Sequence, residues 1–257
     1  MNKEGMAKKK VYGAPQMMDL AVAFPACPGC GQAVASKAIM EVLEEIRIDG
    51  EVVAIIGVGC AGTTFHSTKI DVTMAAHGVA PALATGIKQA LFDDVIVFTL
   101  QGDGDCAAIG AGYLVNAAAR ADKITVFMFN NANYGTTGGQ MAPTTLLNQK
   151  TTTTPTGRDA ATYGYPMHIP EMLTTIKGVA YSARGAISSP TNYQRVKKII
   201  KTAFQKQIDK VGFSFVEILV ACPVNWHMTP VEALGWIEEE MIAEFPLGEF
   251  KNIDRIE

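Results

Sequence analysis

The sequence predicts an α/β domain with a doubly wound, mostly parallel sheet and helices on both faces. Short continuous apolar runs alternate along the chain with stretches of helical periodicity. Two of the runs are rich in Val and Ile, as is typical of strands that are buried on both faces. The 257 residues are enough for one large core, and we expect a single domain over residues 1–257.

The first element that the pattern predicts is a helix between Gly31 and Ile48, where apolar residues recur every four positions until Gly50. Further helices are predicted at about Val79–Phe92, Cys106–Arg120 and Asn192–Gln207. A last helix should begin at Thr229, which is followed by Pro at the first helical position and by Glu232 at the third.

Five apolar runs are the predicted strands: Val52–Gly57, Val95–Leu100, Ile124–Phe129, Val179–Ala183 and Phe213–Leu219. We expect a polar tail at 1–18 and a C-terminal helix and tail at 229–257. Residues 135–165 are rich in Thr, Gly and Pro and too long for an ordinary connection, so we expect a functional loop or cover that moves.

The composition excludes several classes of function. The net charge of −3 gives no basic field for nucleic acid or anionic lipid. The longest apolar run, Val52–Gly62, is about half of the ~20 residues that a membrane helix needs. No apolar stretch follows the basic start of the chain, so we expect no secretory signal and a cytoplasmic location. The charged fraction of 18% is low and predicts an unusually apolar surface.

Ligands of open α/β sheets bind beyond the carboxyl ends of the strands. Four predicted strands run directly into Gly59-Cys60-Ala61-Gly62, Gly102-Asp103-Gly104-Asp105, Asn130-Asn131-Ala132-Asn133 and Ala221-Cys222-Pro223. If the strands are parallel, two cysteines, two aspartates and three asparagines meet along one edge of the sheet.

The Gly102-Asp103-Gly104 turn has what a diphosphate with a metal ion requires: open backbone, N–H donors at a helix start and a carboxylate for a hard cation. Alone, the tripeptide is more typical of a turn with an N-capping aspartate. Asn131 after the next strand favours the ligand site, because Mg²⁺ binds few protein oxygens together with phosphate oxygens. Gly57-x-Gly59-x-x-Gly62 matches a dinucleotide fingerprint, but residues 63–71 lack helical periodicity, which disfavours a nicotinamide site.

The five cysteines, without an export signal, favour metal or redox chemistry over disulfides. Cys27-Pro-Gly-Cys30-Gly fits a zinc knuckle as well as an iron–sulfur site, although no second Cys-x-x-Cys pair exists. Cys222 is followed by Pro, a pairing of bacterial ferredoxins, and four thiolates suit a [4Fe–4S] cluster. His66, His77, His168 and His227 have no metal-ligand spacing.

These segments together resemble the β subunit of 2-oxoacid:ferredoxin oxidoreductases over about residues 20–250. The resemblance is carried by Cys27-Pro-Gly-Cys30-Gly, Gly57-Val-Gly-Cys60, Ala76-His77-Gly78, Ala84-Thr-Gly-Ile-Lys88, Gly102-Asp-Gly-Asp105, Asn130-Asn-Ala-Asn-Tyr-Gly-Thr-Thr-Gly-Gly-Gln140 and Cys222-Pro. Residues 141–155 are most similar to branched-chain (2-oxoisovalerate) enzymes, with 2-oxoglutarate enzymes next. A pyruvate-specific member is the alternative within the family.

The resemblance implies a thiamine diphosphate site, a Mg²⁺ ion and a [4Fe–4S] cluster. The implied Mg²⁺ ligands are Asp103, Asn131 and the backbone carbonyl of Asn133. The implied cofactor-binding residues are Val58, Gly59, Cys60, Ala61, Ala76, His77, Gly78, Gly102, Asp103, Gly104, Asp105, Asn131, Asn133, Gly135 and Thr136. The implied cluster ligands are Cys27, Cys30, Cys60 and Cys222, which leaves Cys106 as a buried apolar residue.

The implied reaction is the coenzyme A-dependent oxidative decarboxylation of a 2-oxoacid to acyl-CoA and CO₂, with reduction of ferredoxin. No catalytic residue is assigned to this chain, because the resemblance places the activating glutamate on the pyrimidine-binding domain of a separate α subunit. It also implies γ and δ subunits that contact coenzyme A and carry ferredoxin-type clusters. The chain alone should be inactive.

Three positions depart from the family pattern or stand outside it. Val79 replaces an Arg that often follows the His-Gly pair, and it has no charge to offer a phosphate or substrate. Lys150 and Arg158 are either solvated loop charges, or one of them meets the substrate carboxylate or the coenzyme A phosphates. Outside this family, a zinc-binding structural protein and a non-redox thiamine decarboxylase or synthase subunit remain as alternatives.

Overall fold

A computed structural model of the chain describes residues 13, 15–19, 25–46, 51–91 and 94–257, with backbone only at 63–66. The described part contains one seven-stranded sheet in the order β2-β1-β3-β4-β6-β5-β7. The strands are β1 (Val52–Ile56), β2 (Asp71–Met74), β3 (Ile96–Gly102), β4 (Thr125–Asn130), β5 (Val179–Ala186), β6 (Phe213–Leu219) and β7 (Gly248–Asn252). All neighbours pair in parallel except β5 and β7. The predicted fold class is confirmed.

Helices connect the parallel strands, as crossover connections require. The α-helices are α1 (Gly31–Glu45), α2 (Ala80–Ala90), α3 (Ala111–Ala119), α4 (Ala160–Tyr163), α5 (Ile169–Leu173), α6 (Pro190–Ile208), α7 (Pro223–Trp226), α8 (Pro230–Trp236) and α9 (Ile242–Glu244). A 3₁₀ segment covers Cys60–Ser67, and π-helical turns cover Gly104–Ile109 and Ile237–Met241. None of the helices in the described ranges is long and apolar enough to cross a bilayer.

The core lies on both faces of the sheet because side chains alternate along each buried strand. Phe98 packs on the face covered by α1 and α6, whereas its neighbour Val97 packs on the face covered by α2 and α3. The rings of Phe98, Phe127 and Phe204 contact one another edge to face at 5.4–5.8 Å between centroids. This packing fixes β3 and β4, whose carboxyl ends carry the polar motifs.

The predicted helices are observed, and they differ from the prediction mainly in the residues at which they begin and end. The predicted helix Cys106–Arg120 begins two residues earlier as a π-turn, because Asp103 caps Gly104, and becomes α-helical at Ala111. The expected ends of the first two helices, at Ile48 and Phe92, lie outside the described residues. The capping box predicted at Thr229 and Glu232 is confirmed.

Two strands, β2 and β7, were not predicted from the sequence. β2 is four residues long and has no fully buried side chain, so it gives no apolar run. β7 lies within 229–257 and pairs antiparallel with β5. Of the predicted polar tail at 1–18, residues 1–12 and 14 lie outside the described part. The rest is anchored, since the Met17 N–H donates to Glu44 at 2.8 Å and Met18 forms a bridge with Thr68.

Candidate functional site

A cleft opens beyond the carboxyl ends of β1, β3 and β4. It is lined by Gln32, Val58, Gly59, Cys60, His77, Gly102, Asp103, Gly104, Asp105, Asn131, Asn133, Tyr134, Gly135, Thr136 and Thr137. Twelve of these residues are among the fifteen that the sequence assigned to the cofactor. The other three, Ala61, Ala76 and Gly78, lie beside the cleft without lining it.

Asp103 lies at the floor of the cleft and is 1% exposed. Its carboxylate accepts hydrogen bonds from the Thr144 hydroxyl at 2.5 Å and from the Gly104 N–H at 2.9 Å. Burial raises its pKa to about 7, although these hydrogen bonds act in the opposite direction. A buried carboxylate whose donors are neutral is suited to a cation.

The side-chain amide of Asn131 meets Asp103 and Asn133 at this floor. One of its two terminal atoms lies 3.1 Å from Asp103 Oδ1 and 2.8 Å from the Asn133 carbonyl oxygen. If that atom is nitrogen, it donates to both; if it is oxygen, three oxygens face one another. Oxygens on adjacent corners of a Mg²⁺ octahedron are about 2.9 Å apart for bonds of 2.0–2.1 Å. The spacing of the three groups therefore fits a small hard cation.

Asp105 is a second buried carboxylate, and it holds the neighbouring wall of the cleft. Its Oδ1 accepts from the Gly78 N–H at 2.7 Å and contacts His77 Nδ1, while its Oδ2 accepts from Gln101 Nε2 at 2.7 Å. Because Nδ1 of His77 is engaged, Nε2 is the ring nitrogen left for a ligand. A Cβ on Gly57 would lie 2.0 Å from Asp105 Oδ2, so only glycine fits there.

The backbone approaches closely at Gly59 and Gly104. Gly59 has a φ of 134°, a region that side chains with a Cβ rarely adopt. A Cβ on Gly104 would lie 2.1 Å from the ring of Tyr134. Neither glycine places a side chain in the cleft, so a ligand can approach the backbone closely there, as an anionic diphosphate requires.

The four cysteines that the sequence grouped are carried by three segments around the cleft. Cys27 and Cys30 precede α1, Cys60 follows β1, and Cys222 precedes α7. The Gly31 N–H donates to the Ala221 carbonyl at 3.0 Å and so joins two of these segments. None of these four cysteines forms a disulfide; Cys27 is exposed and the other three are half-buried.

The pKa of Cys30 is affected by its burial and by two of the other thiols. Burial raises its pKa, the N–H groups of Gln32 and Ala33 oppose this, and the charges of Cys222 and Cys60 raise it further. No three His, Cys, Asp or Glu side chains in the described part are gathered tightly enough for one metal ion. A four-iron cluster binds each thiolate to a different iron, so its ligands are further apart than those of one zinc ion.

Comparison with known proteins gives the family. The family model for the C-terminal, thiamine pyrophosphate-binding domain of thiamine pyrophosphate enzymes matches residues 57–218. The 2-oxoglutarate synthase subunit KorB of Methanocaldococcus jannaschii is 32% identical, over 90% of this chain and 88% of its own length. The chain belongs to the thiamine diphosphate-binding β subunits of the 2-oxoacid:ferredoxin oxidoreductases.

Other relatives agree with this family. The ketoisovalerate oxidoreductase subunit VorA of Methanothermobacter thermautotrophicus is 41% identical over 226 residues, 88% of this chain and 47% of its own. The chain thus spans about half the length of that relative. A solved structure of 2-oxoglutarate:ferredoxin oxidoreductase from Magnetococcus marinus, with 2-oxoglutarate, coenzyme A and succinyl-CoA bound, superposes with a TM-score of 0.75 at 25% identity. The superposition covers 94% of this chain and 85% of that one.

Arg158 is the residue whose role the sequence placed wrongly. It is 4% exposed, and its guanidinium donates only to backbone carbonyls, among them those of Thr145 at 2.5 Å, Tyr165 at 2.7 Å and Gly164 at 2.9 Å. It is neither a solvated loop charge nor a ligand of a substrate carboxylate, because its N–H groups hold the 135–165 loop together. Lys150 is exposed.

Cys106, the cysteine left over in this β-subunit family member, is fully buried in the core, as predicted. Its pKa is raised by burial and by the charges of nearby carboxylates, foremost Asp105. Of the histidines whose side chains the structure describes, His77 alone lines the cleft; His168 contacts Glu171 and Glu244 instead.

Several residues that shape the site were not predicted from the sequence. Among them are Gln32, whose buried Oε1 has no partner, Tyr134, which packs on Gly104, and Asn225 and Trp226, which contact the loop after β4. Gln32 follows Cys-x-x-Cys-Gly, and Asn225 and Trp226 follow Cys222-Pro. Their position next to cysteines that the resemblance implies as cluster ligands is the sequence signal that could have identified them as site residues.

Proposed function

We propose that this chain is the subunit that binds the diphosphate end of the cofactor in a thiamine-dependent 2-oxoacid:ferredoxin oxidoreductase. The observation that carries the proposal is the meeting of Asp103, Asn131 and Asn133 at the floor of a glycine-lined cleft. Their family-derived role as magnesium ligands agrees with the burial of Asp103 and with the spacing of the three groups.

The residues around the floor have distinct tasks in this proposal. Asp103 and Asn131 hold Mg²⁺ through side-chain oxygens, and Asn133 holds it through its carbonyl. The N–H groups next to Gly59 and Gly104 and the free Nε2 of His77 bind diphosphate oxygens. Thiamine diphosphate, when bound, supplies the nucleophilic carbon and the electron sink for decarboxylation.

The four cysteines at the rim, Cys27, Cys30, Cys60 and Cys222, are the proposed ligands of a [4Fe–4S] cluster. Cys60 is also a residue of the cleft wall, with its Sγ 2.9 Å from the Thr136 hydroxyl. A cluster held there would lie beside the cofactor and would supply one-electron chemistry. This arrangement disfavours a non-redox thiamine decarboxylase, which needs no such group.

The proposed substrate is a 2-oxoacid, with 2-oxoisovalerate or 2-oxoglutarate favoured, because relatives named for these acids share 41% and 32% of aligned residues with the chain. Coenzyme A is the proposed acyl acceptor and ferredoxin the electron acceptor. The proposed partners are an α subunit with the activating glutamate and γ and δ subunits, in the cytoplasm.

The test is anaerobic purification of the chain with its co-purifying subunits, followed by metal analysis and an acceptor-reduction assay. We expect iron, acid-labile sulfide and thiamine diphosphate, and coenzyme A-dependent reduction of ferredoxin or a viologen with 2-oxoisovalerate or 2-oxoglutarate. Fastest turnover of pyruvate would select the pyruvate-specific alternative. One zinc without iron or sulfide would instead favour the zinc-binding protein, and turnover by the isolated chain would contradict the need for partners.

A further inference from the structure

Asn225 lies between the proposed cluster and the proposed cofactor site. It belongs to α7, the short helix that begins directly after Cys222. Its Nδ2 donates to the Gly135 carbonyl at 2.9 Å and lies 3.4 Å from both Cys222 Sγ and Asn133 Oδ1. One side-chain amide thus contacts a cysteine on one side and two residues of the cofactor loop on the other.

The cysteine side of this contact is a hydrogen bond to sulfur. Asn225 Nδ2 donates to Cys222 Sγ at 3.4 Å, and the two residues are three positions apart at the start of α7. Asn225 is therefore a side-chain N–H donor to a sulfur that is a proposed cluster ligand.

A second contact joins α7 to the loop that follows β4. The indole N–H of Trp226, the next residue, donates to the Asn131 carbonyl at 3.1 Å. The Trp226 ring packs against Trp236 of α8 at 4.4 Å between centroids, which holds α7 in place. Residues 222–226 are consequently fixed to the 131–135 loop at both Asn131 and Gly135.

We propose that Asn225 is a positioning residue that ties Cys222 to the cofactor loop and raises the reduction potential of the cluster. The inference rests on the proposed function, since it requires Cys222 to be a cluster ligand. Hydrogen bonds to ligand sulfurs are among the features that set the potentials of iron–sulfur clusters. Reduction adds one electron, supplied by oxidation of the 2-oxoacid, and breaks no bond. The added negative charge spreads onto the thiolates, so an N–H donor stabilises the reduced form more than the oxidised form.

The test compares Asn225→Ala and Asn225→Asp with the matched control Asn252→Ala in the anaerobically purified complex. Asn252 is an exposed asparagine on β7 whose amide donates to Glu249. The readouts are iron and sulfide content, the midpoint potential followed by electron paramagnetic resonance, and the dissociation constant of Mg²⁺–thiamine diphosphate. None of these depends on turnover.

We expect the equilibrium constant for cluster reduction to fall about tenfold in Asn225→Ala, a shift of about 59 mV to lower potential for one electron. Asn225→Asp should shift it further, because it replaces a donor with a negative charge. Both variants should bind Mg²⁺–thiamine diphosphate several-fold more weakly, and the control should match the wild type. Loss of iron from both variants but not from the control would also support the assignment.

Unchanged potential and unchanged cofactor affinity in iron-loaded variants would overturn the role of Asn225 while leaving the proposed function intact. Absence of iron and sulfide from the wild-type complex would instead remove the cluster assignment, and the role of Asn225 with it.

Discussion

Glu217 accepts a hydrogen bond from Asn130 at 2.6 Å, and this contact joins the buried centre of β6 to the end of β4. The other carboxylate oxygen of Glu217 accepts from Arg184 Nε at 2.6 Å, and neither charged side chain is exposed. The side-chain oxygen Oδ1 of Asn130 accepts a hydrogen bond from the backbone N–H of Ala132, whose φ is 54°. A buried ion pair thus supports the turn that carries Asn131.

Replacing Glu217 should destabilise the chain strongly. In Glu217→Ala, the Arg184 charge and the Asn130 amide lose a buried partner. Removing one member of a buried pair typically costs 3–5 kcal/mol, and we expect about 3 kcal/mol because Glu171 still pairs with Arg184. Denaturant unfolding measures the change, with the exposed Glu240→Ala as control. Equal stability of the two variants would show that the pair does not support the fold.

The ion pair between Glu171 and Arg184 should make stability depend on pH. Burial raises the pKa of Glu171, but the hydrogen bonds from Arg184 outweigh it and lower the pKa below 4.5. Since the folded-state pKa is lowered, the stabilisation is present above pH 4.5 and is lost as the pH falls through the folded-state value.

The measurement is the difference in unfolding free energy between the wild type and Glu171→Gln. We expect roughly 1–2 kcal/mol near pH 7 and a difference that shrinks steadily below about pH 4. A difference that stayed constant from pH 7 to pH 3 would mean that the Glu171 charge contributes nothing.

Two glycines of the same motif should respond differently to a methyl group. A Cβ on Gly104 would collide with the Tyr134 ring, whereas a Cβ on Gly102 meets nothing within 4 Å. Gly104→Ala should therefore lower the unfolding free energy of the cofactor-free chain by about 1–3 kcal/mol, as overpacking does. Gly102→Ala should change it little. The reverse order, measured by denaturant unfolding, would contradict the packing described for Tyr134.

Arg158 should matter for the stability of the 135–165 loop and Lys150 should not. Arg158→Ala leaves several buried carbonyls without a donor, so we expect a loss of about 2–4 kcal/mol and faster proteolysis within the loop. Lys150→Ala alters an exposed side chain and should stay within about 0.5 kcal/mol. Unchanged proteolysis in Arg158→Ala would show that the loop is held by other contacts.

The sequence predicted the parallel sheet and its polar edge because both are local signals. Buried strands such as Phe213–Leu219 are continuous apolar runs, and that strand was predicted with its observed bounds. Motif residues follow the strands directly, so parallel pairing brings them together whatever the exact length of each strand. Asp103 and Asn131 line one cleft for this reason, whereas His77, Gly135 and Thr136 were implied by the family resemblance.

What the sequence missed depends on contacts between distant segments. In the sequence, Arg158 is simply a charged residue within a polar loop. Only the folded loop places six backbone carbonyls around its guanidinium. Asn225 reaches Gly135 across 90 residues. The edge strand β2 is half-exposed and short, so neither its length nor its hydropathy marks it.

The binding of thiamine diphosphate with and without Mg²⁺ is the direct measure of whether Asp103 and the cleft around it hold the cofactor. The measurement is calorimetric titration of the anaerobically purified complex, alongside Asp103→Asn and the exposed control Asp209→Asn. We expect tight binding that requires Mg²⁺, at least about 100-fold weaker binding in Asp103→Asn, and wild-type binding in the control. Binding that ignored both Mg²⁺ and the Asp103 substitution would contradict the assignment of this cleft.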